Sequence, residues 1–160
     1  MKKIFVITLV CASVFSCQKN DAVIATEPSL TDPAEMKNVL VNTDWILKHT
    51  ALIYSPDLAD NSAPEYCKRD DTYQFRINGD AVIEFGPVDC FMAVSSGSYG
   101  SWELQGAVLK QIIHRDVPGF IKGETIYWTV DYISSQQLRI KRTVTEPGKN
   151  FVQLDTYTRK

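Results

Sequence analysis

Few of the 160 residues have the types and spacing that chemistry requires. Asp70-Asp71 sets two carboxylates side by side, the composition of an acid–base dyad or of half a calcium site. Adjacent residues on a strand point to opposite faces, which argues against a dyad. Calcium takes six or more oxygens, and no Asp-rich loop follows to supply them. The pair is expected to cap or pin the turn that enters a strand. Cys67 and Cys90 are open to two readings, a disulfide or two free thiols. A zinc site would have to draw on His49 and His114, and no Cys-x-x-Cys spacing supports one. No Gly-x-Ser-x-Gly elbow and no glycine-rich phosphate loop is present. The expectation is therefore a non-catalytic protein without metal or cofactor. Arg139, Lys141 and Arg142 form a short basic run. Strand alternation sends Arg139 and Lys141 outward and puts Arg142 in register with Leu138 and Ile140. His49 likewise shares the register of Trp45 and Leu47. A polar group aimed into an apolar cavity orients a ligand. The alternative for both side chains is a solvated rim.

A fourth candidate concerns address. Met1-Lys2-Lys3 is a positive start, and Ile4 to Phe15 is an apolar run of about 12 residues, too short for a permanent membrane helix. Val14-Phe15-Ser16-Cys17 then has the order of a bacterial lipobox, with Phe15 bulkier than usual. In such signals the cysteine sulfur receives a diacylglyceryl group and the chain is cut before it. Residues 1–16 are thus expected to be a signal peptide, with Cys17 lipidated. An anchor of two or three acyl chains holds a membrane far more firmly than one. The outer membrane is the expected location, its face undetermined. Three cysteines remain after cleavage. Lipid on Cys17 and a Cys67–Cys90 disulfide account for all of them in an exported compartment.

The full chain carries 17 Lys and Arg against 19 Asp and Glu, a formal charge of −2. Loss of Lys2 and Lys3 leaves 15 against 19, hence −4. That balance excludes a generally basic nucleic-acid binder, which needs clustered cations. The 44% apolar and 22% charged composition is that of a globular domain.

The elements that must position these residues begin after a polar tether, residues 17–30. The domain proper is residues 31–160. Asp32, Pro33 and Glu35 spell a helix start, with Met36, Val39 and Leu40 on one face and Asn42-Thr43 at the end. From Trp45 the period becomes two. Trp45, Leu47, Ala51 and Ile53 share one face; Tyr73, Phe75 and Ile77 another; Ala81, Ile83 and Phe85 a third. Asn78-Gly79 marks a hairpin. Further strands are expected over 98–104, 107–114, 124–133, 136–144 and 151–158, with Ile126, Trp128, Val130 and Tyr132 facing one way. Eight strands with mostly short links predict an antiparallel up-and-down β-barrel with a short N-terminal helix, since closure removes sheet edges. A β-sandwich is the rival. The links from Ser55 to Asp70 and from Gly86 to Gly97 are expected as rim loops.

With these parts in place, the chain resembles the lipocalin-like lipoproteins of Gram-negative bacteria. The resemblance runs from about Val39 to the C-terminus. It rests on Asp44-Trp45 after the helix, the segment from Cys67 to Phe75, Asn78-Gly79, Cys90 and Gly100-Ser101-Trp102-Glu103-Leu104. Thr43 stands where classical lipocalins carry the glycine of Gly-x-Trp. The resemblance implies an eight-stranded barrel with room for an interior ligand and supplies no ligand identity. It also implies that Trp45 plugs the closed barrel end, with a basic side chain across its ring, for which Arg159 is the candidate by position.

Two functions fit such a barrel. One is a lipid-anchored, non-catalytic module for a small apolar or amphipathic ligand, with His49, Trp102, Trp128, Tyr132 and Arg142 as candidate contacts. The other is an interaction lipoprotein with a side-chain-filled barrel, whose rim loops bind an envelope protein or inhibit a foreign hydrolase. An eight-stranded barrel is just wide enough for either.

Overall fold

In the computed structural model, which describes residues 27–55, 58–62, 70–87, 95–117 and 119–160, Asp32 caps helix α1 (Pro33–Val41). Its carboxylate accepts from the amides of Ala34 (2.8 Å) and Glu35 (3.0 Å). At the other end the Asn42 side chain donates to the Asn38 carbonyl at 2.9 Å. Met36 and Leu40 are the buried face. Among the described residues nine strands follow: β1 (Trp45–Ser55), β2 (Leu58–Ser62), β3 (Thr72–Phe75), β4 (Asp80–Glu84), β5 (Gly97–Gln105), β6 (Val108–Ile113), β7 (Thr125–Ile133), β8 (Gln137–Glu146) and β9 (Lys149–Arg159).

All pairings are antiparallel. From β3 to β9 each strand pairs with the next, β3 pairs with β1, and β9 returns to β1 from Trp45↔Arg159 to Ile53↔Val152. β1 and β3–β9 therefore form a closed eight-stranded up-and-down barrel, lipocalin-like in order. β2 lies outside the ring, paired with the far half of β1. Its sequence, Leu-Ala-Asp-Asn-Ser, has no apolar alternation, so the stretch reads as loop. Backbone pairing alone makes it a strand.

One end of the barrel is shut. α1 packs there against β3 and β5, and Met36 and Leu40 join one core cluster with Trp45, Phe75 and Trp102. The Ile77-Asn78-Gly79 hairpin sits at this end. The Arg76 amide donates to the Asp80 carbonyl at 2.8 Å across it, and Gly79 has φ of +88°, a conformation that side chains resist. Ile77 is consequently 77% exposed at the turn and does not share the face of Tyr73 and Phe75. Residues 29–30, expected as tether, are bonded to the barrel: the Leu30 amide donates to the Ile133 carbonyl at 2.8 Å, and Ser29 accepts from the Ile133 amide. At the opposite end Asp71 is buried and accepts from the Gly86 amide at 3.2 Å. A Cβ on Gly86 would lie 2.1 Å from the Asp70 Cγ, so only glycine fits. Asp71 pins the β3 and β4 ends together, and Asp70 packs against Gly86 beside it.

Three ring ladders carry β-bulges: one, between Ala81 and Val82 opposite Tyr99, lies between β4 and β5, and two reset faces expected from sequence. Of these two, one lies between Leu47 and His49 in β1, the other between Val130 and Tyr132 in β7. A bulge adds one residue on one strand, so every later side chain switches sides. Past the first bulge the inward residues of β1 are Thr50, Leu52 and Tyr54, opposite Asp155, Gln153 and Phe151. Ala51 and Ile53 therefore do not share the inner face of Trp45.

Candidate functional site

The inner wall of the shut end is apolar; the middle of the barrel is not. β8 presents Leu138, Ile140 and Arg142 inward, as alternation predicts, and β9 presents Tyr157, Asp155 and Gln153 opposite them. The Arg142 Nε–H donates to the Gln153 Oε1 at 3.0 Å. Its guanidinium carbon lies 4.8 Å from the centre of the Trp128 ring, a cation–π contact. The Gln153 amide donates to both Asp155 oxygens, at 3.1 and 3.0 Å, and the Thr50 hydroxyl donates to one of them at 2.9 Å. On the other side the Trp128 Nε1–H donates to the Gln111 Oε1 at 2.8 Å, and the Gln111 amide donates to the Tyr99 hydroxyl at 2.9 Å. Tyr99 stacks on Phe120, with ring centres 5.3 Å apart. The result is a chain of polar groups crossing the interior from Thr50 on β1 to Tyr99 on β5, with Arg142 over Trp128 at its middle.

Burial sets the protonation of this chain. It pushes the Asp155 carboxyl above its ordinary range, against hydrogen bonds from Gln153 and Thr50, the Arg142 charge and a hydrogen bond from Tyr157. Burial also raises the phenols of Tyr73, Tyr99 and Tyr157, so they stay neutral. Tyr73 and Tyr157 meet edge to face, 5.5 Å between centres.

The barrel wall opens beside Arg142. The β7–β8 ladder runs from Ile133↔Leu138 to Thr129↔Lys141 and no further. Thr125–Trp128 of β7 and Arg142–Glu146 of β8 stay bonded only to their other neighbours. An open pocket of about 450 Å³ lies in that seam, with Ile126, Tyr127, Val144 and Arg142 among its walls. Its walls set the Arg142 guanidinium beside Ile126 and Val144, with Thr125, Thr143, Thr145 and Glu124 completing a largely polar lining.

Of the residues singled out by sequence, Arg142 and Trp128 meet here. Trp102 faces inward near the shut end, where its indole N–H donates to the Arg76 carbonyl at 2.9 Å and its ring meets Phe75 edge to face. Tyr132 and His49 are corrected: both lie past a bulge and face away from the interior. Tyr132 lies on the outer surface, its hydroxyl donating to the Glu27 carbonyl and its ring 5.8 Å from Arg139. His49 is paired with Thr156, between the inward Asp155 and Tyr157. Trp45 is fully buried at the shut end, and its Nε1–H has no hydrogen-bond partner. Arg159 is its register partner and is exposed. The guanidinium–ring contacts among the described residues are those of Arg139 and Arg142, so no such contact at Trp45 is among them. Cys17, Cys67 and Cys90 lie outside the described residues.

Thr50, Tyr99, Gln111, Gln153 and Asp155 belong to the site and were not singled out by sequence. Their signal is a polar residue in register with aromatics and aliphatics, as in Phe151, Gln153, Asp155 and Tyr157. Among the described residues no group of three or more His, Cys, Asp or Glu side chains is placed to hold a metal. No helix among them is long and apolar enough to cross a membrane. No protein-family model matches the chain, and no curated protein matches it in sequence.

Proposed function

We propose that the protein is a lipid-anchored, non-catalytic binding module that admits a small apolar or amphipathic ligand through the β7–β8 seam. The observation that carries this reading is the seam itself, with a pocket of about 450 Å³ that reaches Arg142, whose guanidinium lies over Trp128. Ligand pockets commonly start near ~300 Å³ and combine apolar walls with a few oriented polar groups. Anchoring rests on the lipobox order from Val14 to Cys17 and on the resemblance to Gram-negative envelope lipoproteins. The test is titration with neutral N-phenyl-1-naphthylamine, followed by probe emission. Saturable enhancement is expected, and Val144→Trp, which fills the seam, should abolish it. No saturable signal with the parent protein overturns the reading. Anchoring is tested separately: membrane-extracted protein should show acyl mass on Cys17, and Cys17→Ala should become soluble.

The second reading, an interaction lipoprotein whose rim loops bind another protein or inhibit a foreign hydrolase, is favoured by the filled lower barrel. Trp45, Tyr73, Phe75, Trp102 and Tyr157 occupy it, each under a tenth exposed. Failure of every small probe, together with saturable capture of a defined envelope protein, would favour it.

A further inference from the structure

Arg142 differs from the other cations of its strand in what it is bonded to. Arg139 and Lys141 face outward and both grip Asp131, at 2.6 and 2.8 Å. Arg142 faces inward and spends its Nε–H on a neutral amide. Among the described residues no carboxylate lies within ion-pair distance of it, and no acceptor is recorded for its two terminal nitrogens. The nearest interior acid on its side, Asp155, has both oxygens occupied by Gln153 and Thr50. A half-buried guanidinium is costly to hold without an anion. This one is also held in orientation: Trp128 lies under its face, and Trp128 is fixed by Gln111, which is tied in turn to Tyr99. A planar fork with four N–H donors unspent, in the wall of a pocket that sets Ile126 and Val144 among three threonines, matches a two-oxygen anion.

We propose that Arg142 is the anion-recognition centre of the seam pocket and that the ligand class is a monocarboxylate with an apolar chain or ring. The carboxylate accepts hydrogen bonds from both terminal nitrogens of Arg142, and the apolar body lies along Ile126 and Val144. Glu124 also lines the pocket, and its carboxylate accepts from the Ile121 amide at 3.3 Å. The proposal rests on the reading of the seam as the ligand mouth.

The experiment titrates the full-length protein with octanoate, octanol and octylamine at pH 7.5, read by calorimetry and by Trp fluorescence. Parent protein should bind octanoate at least about tenfold more tightly than octanol, as expected for a charge-assisted bidentate pair, and octylamine least of all. Arg142→Gln keeps an amide beside Gln153; it should lose that tenfold preference, octanoate falling to the affinity of octanol. Arg142→Lys keeps the charge without the fork and should fall between them. Equal affinity for octanoate and octanol in the parent overturns the proposal, as does an Arg142→Gln variant that weakens both alike. If Arg142→Gln does not fold, the ratio in the parent and in Arg142→Lys still decides. Binding of octanol without a carboxylate preference leaves the ligand pocket standing and removes the anion centre. Failure of all three probes removes both.

Discussion

Strands β7 to β9 carry an acid–base cluster on each face, and the two are built differently. Outside, Asp131 holds Arg139 and Lys141 directly, in water, where such pairs contribute ~0–1 kcal/mol. Inside, Asp155 and Arg142 belong to one network with Gln153 bonded to both. A direct interior pair would have to offset the desolvation of two charges. The interposed amide satisfies each through a neutral group and leaves the guanidinium fork directed at the seam. The same residue types one position apart on β8 thus serve solubility on one face and recognition on the other. Register alone decides which.

The largest expected difference between inner and outer wall is in packing. Trp45→Ala should cost ~3–5 kcal/mol, because a fully buried indole leaves a cavity in a cluster that includes α1. Tyr127→Ala, on the outer face and 59% exposed, should stay within about 0.5 kcal/mol. Thermal melts of both variants check the contrast, and equal losses would break it. Trp45→Phe should cost less than Trp45→Ala, since the phenyl ring fills most of the cavity and the lost indole N–H has no partner to strand.

Next in size is the loss of the glutamine that supports the site. Gln111→Leu fills similar space and strands the Trp128 N–H and the Tyr99 hydroxyl. Each stranded group costs ~1–3 kcal/mol, so a loss of about 2 kcal/mol or more is expected in chemical denaturation. The Trp128 ring then loses its anchor, and octanoate affinity should fall with stability. A loss below about 1 kcal/mol would mean that the polar chain contributes little to the inner wall.

How much of this was legible follows from one rule and its failures. Period-two alternation found the eight barrel strands, the Asn78-Gly79 hairpin and the inward Arg142, because β8 runs through that stretch without a bulge. The same alternation misassigned His49 and Tyr132, because a bulge precedes each and leaves no mark in residue type. β2 was missed because the sequence of its five residues has no apolar alternation, and backbone pairing with β1 defines it. Gln111 and Asp155 were passed over because apolar residues define a strand's inner face on reading. Here Gln111 lies inward between Leu109 and Ile113, while Ile112 is 37% exposed. Capping was fully readable, since Asp32 and Pro33 act within one turn of chain.

The smallest expected effect separates the two carboxylates by the sign of their pH dependence. Hydrogen bonding from Lys141 leads the causes that lower Asp131, outweighing burial, which raises it; the Arg139 hydrogen bond and both positive charges add to the lowering. Its contribution to stability is therefore present above the ordinary carboxylate value of 3.8 and is lost as pH falls through the depressed folded value. Asp155 runs the other way. Burial raises it, so its contribution is present below 3.8 and is lost as pH rises through the elevated folded value. Asp131→Asn should accordingly be less stable than the parent at neutral pH, by about 1 kcal/mol or less, and converge with it on acidification. Asp155→Asn keeps an oxygen for Thr50 and Gln153, so its stability relative to the parent should climb as pH rises above the acid range. Melts of the three proteins across the acid-to-neutral range give the two difference curves. Added salt should flatten the Asp131 curve and leave the Asp155 curve largely unchanged, because exposed charges are screened and buried ones are not. Difference curves of the same sign would mean that Asp155 pairs directly with Arg142 in solution, which would also occupy the fork that faces the seam.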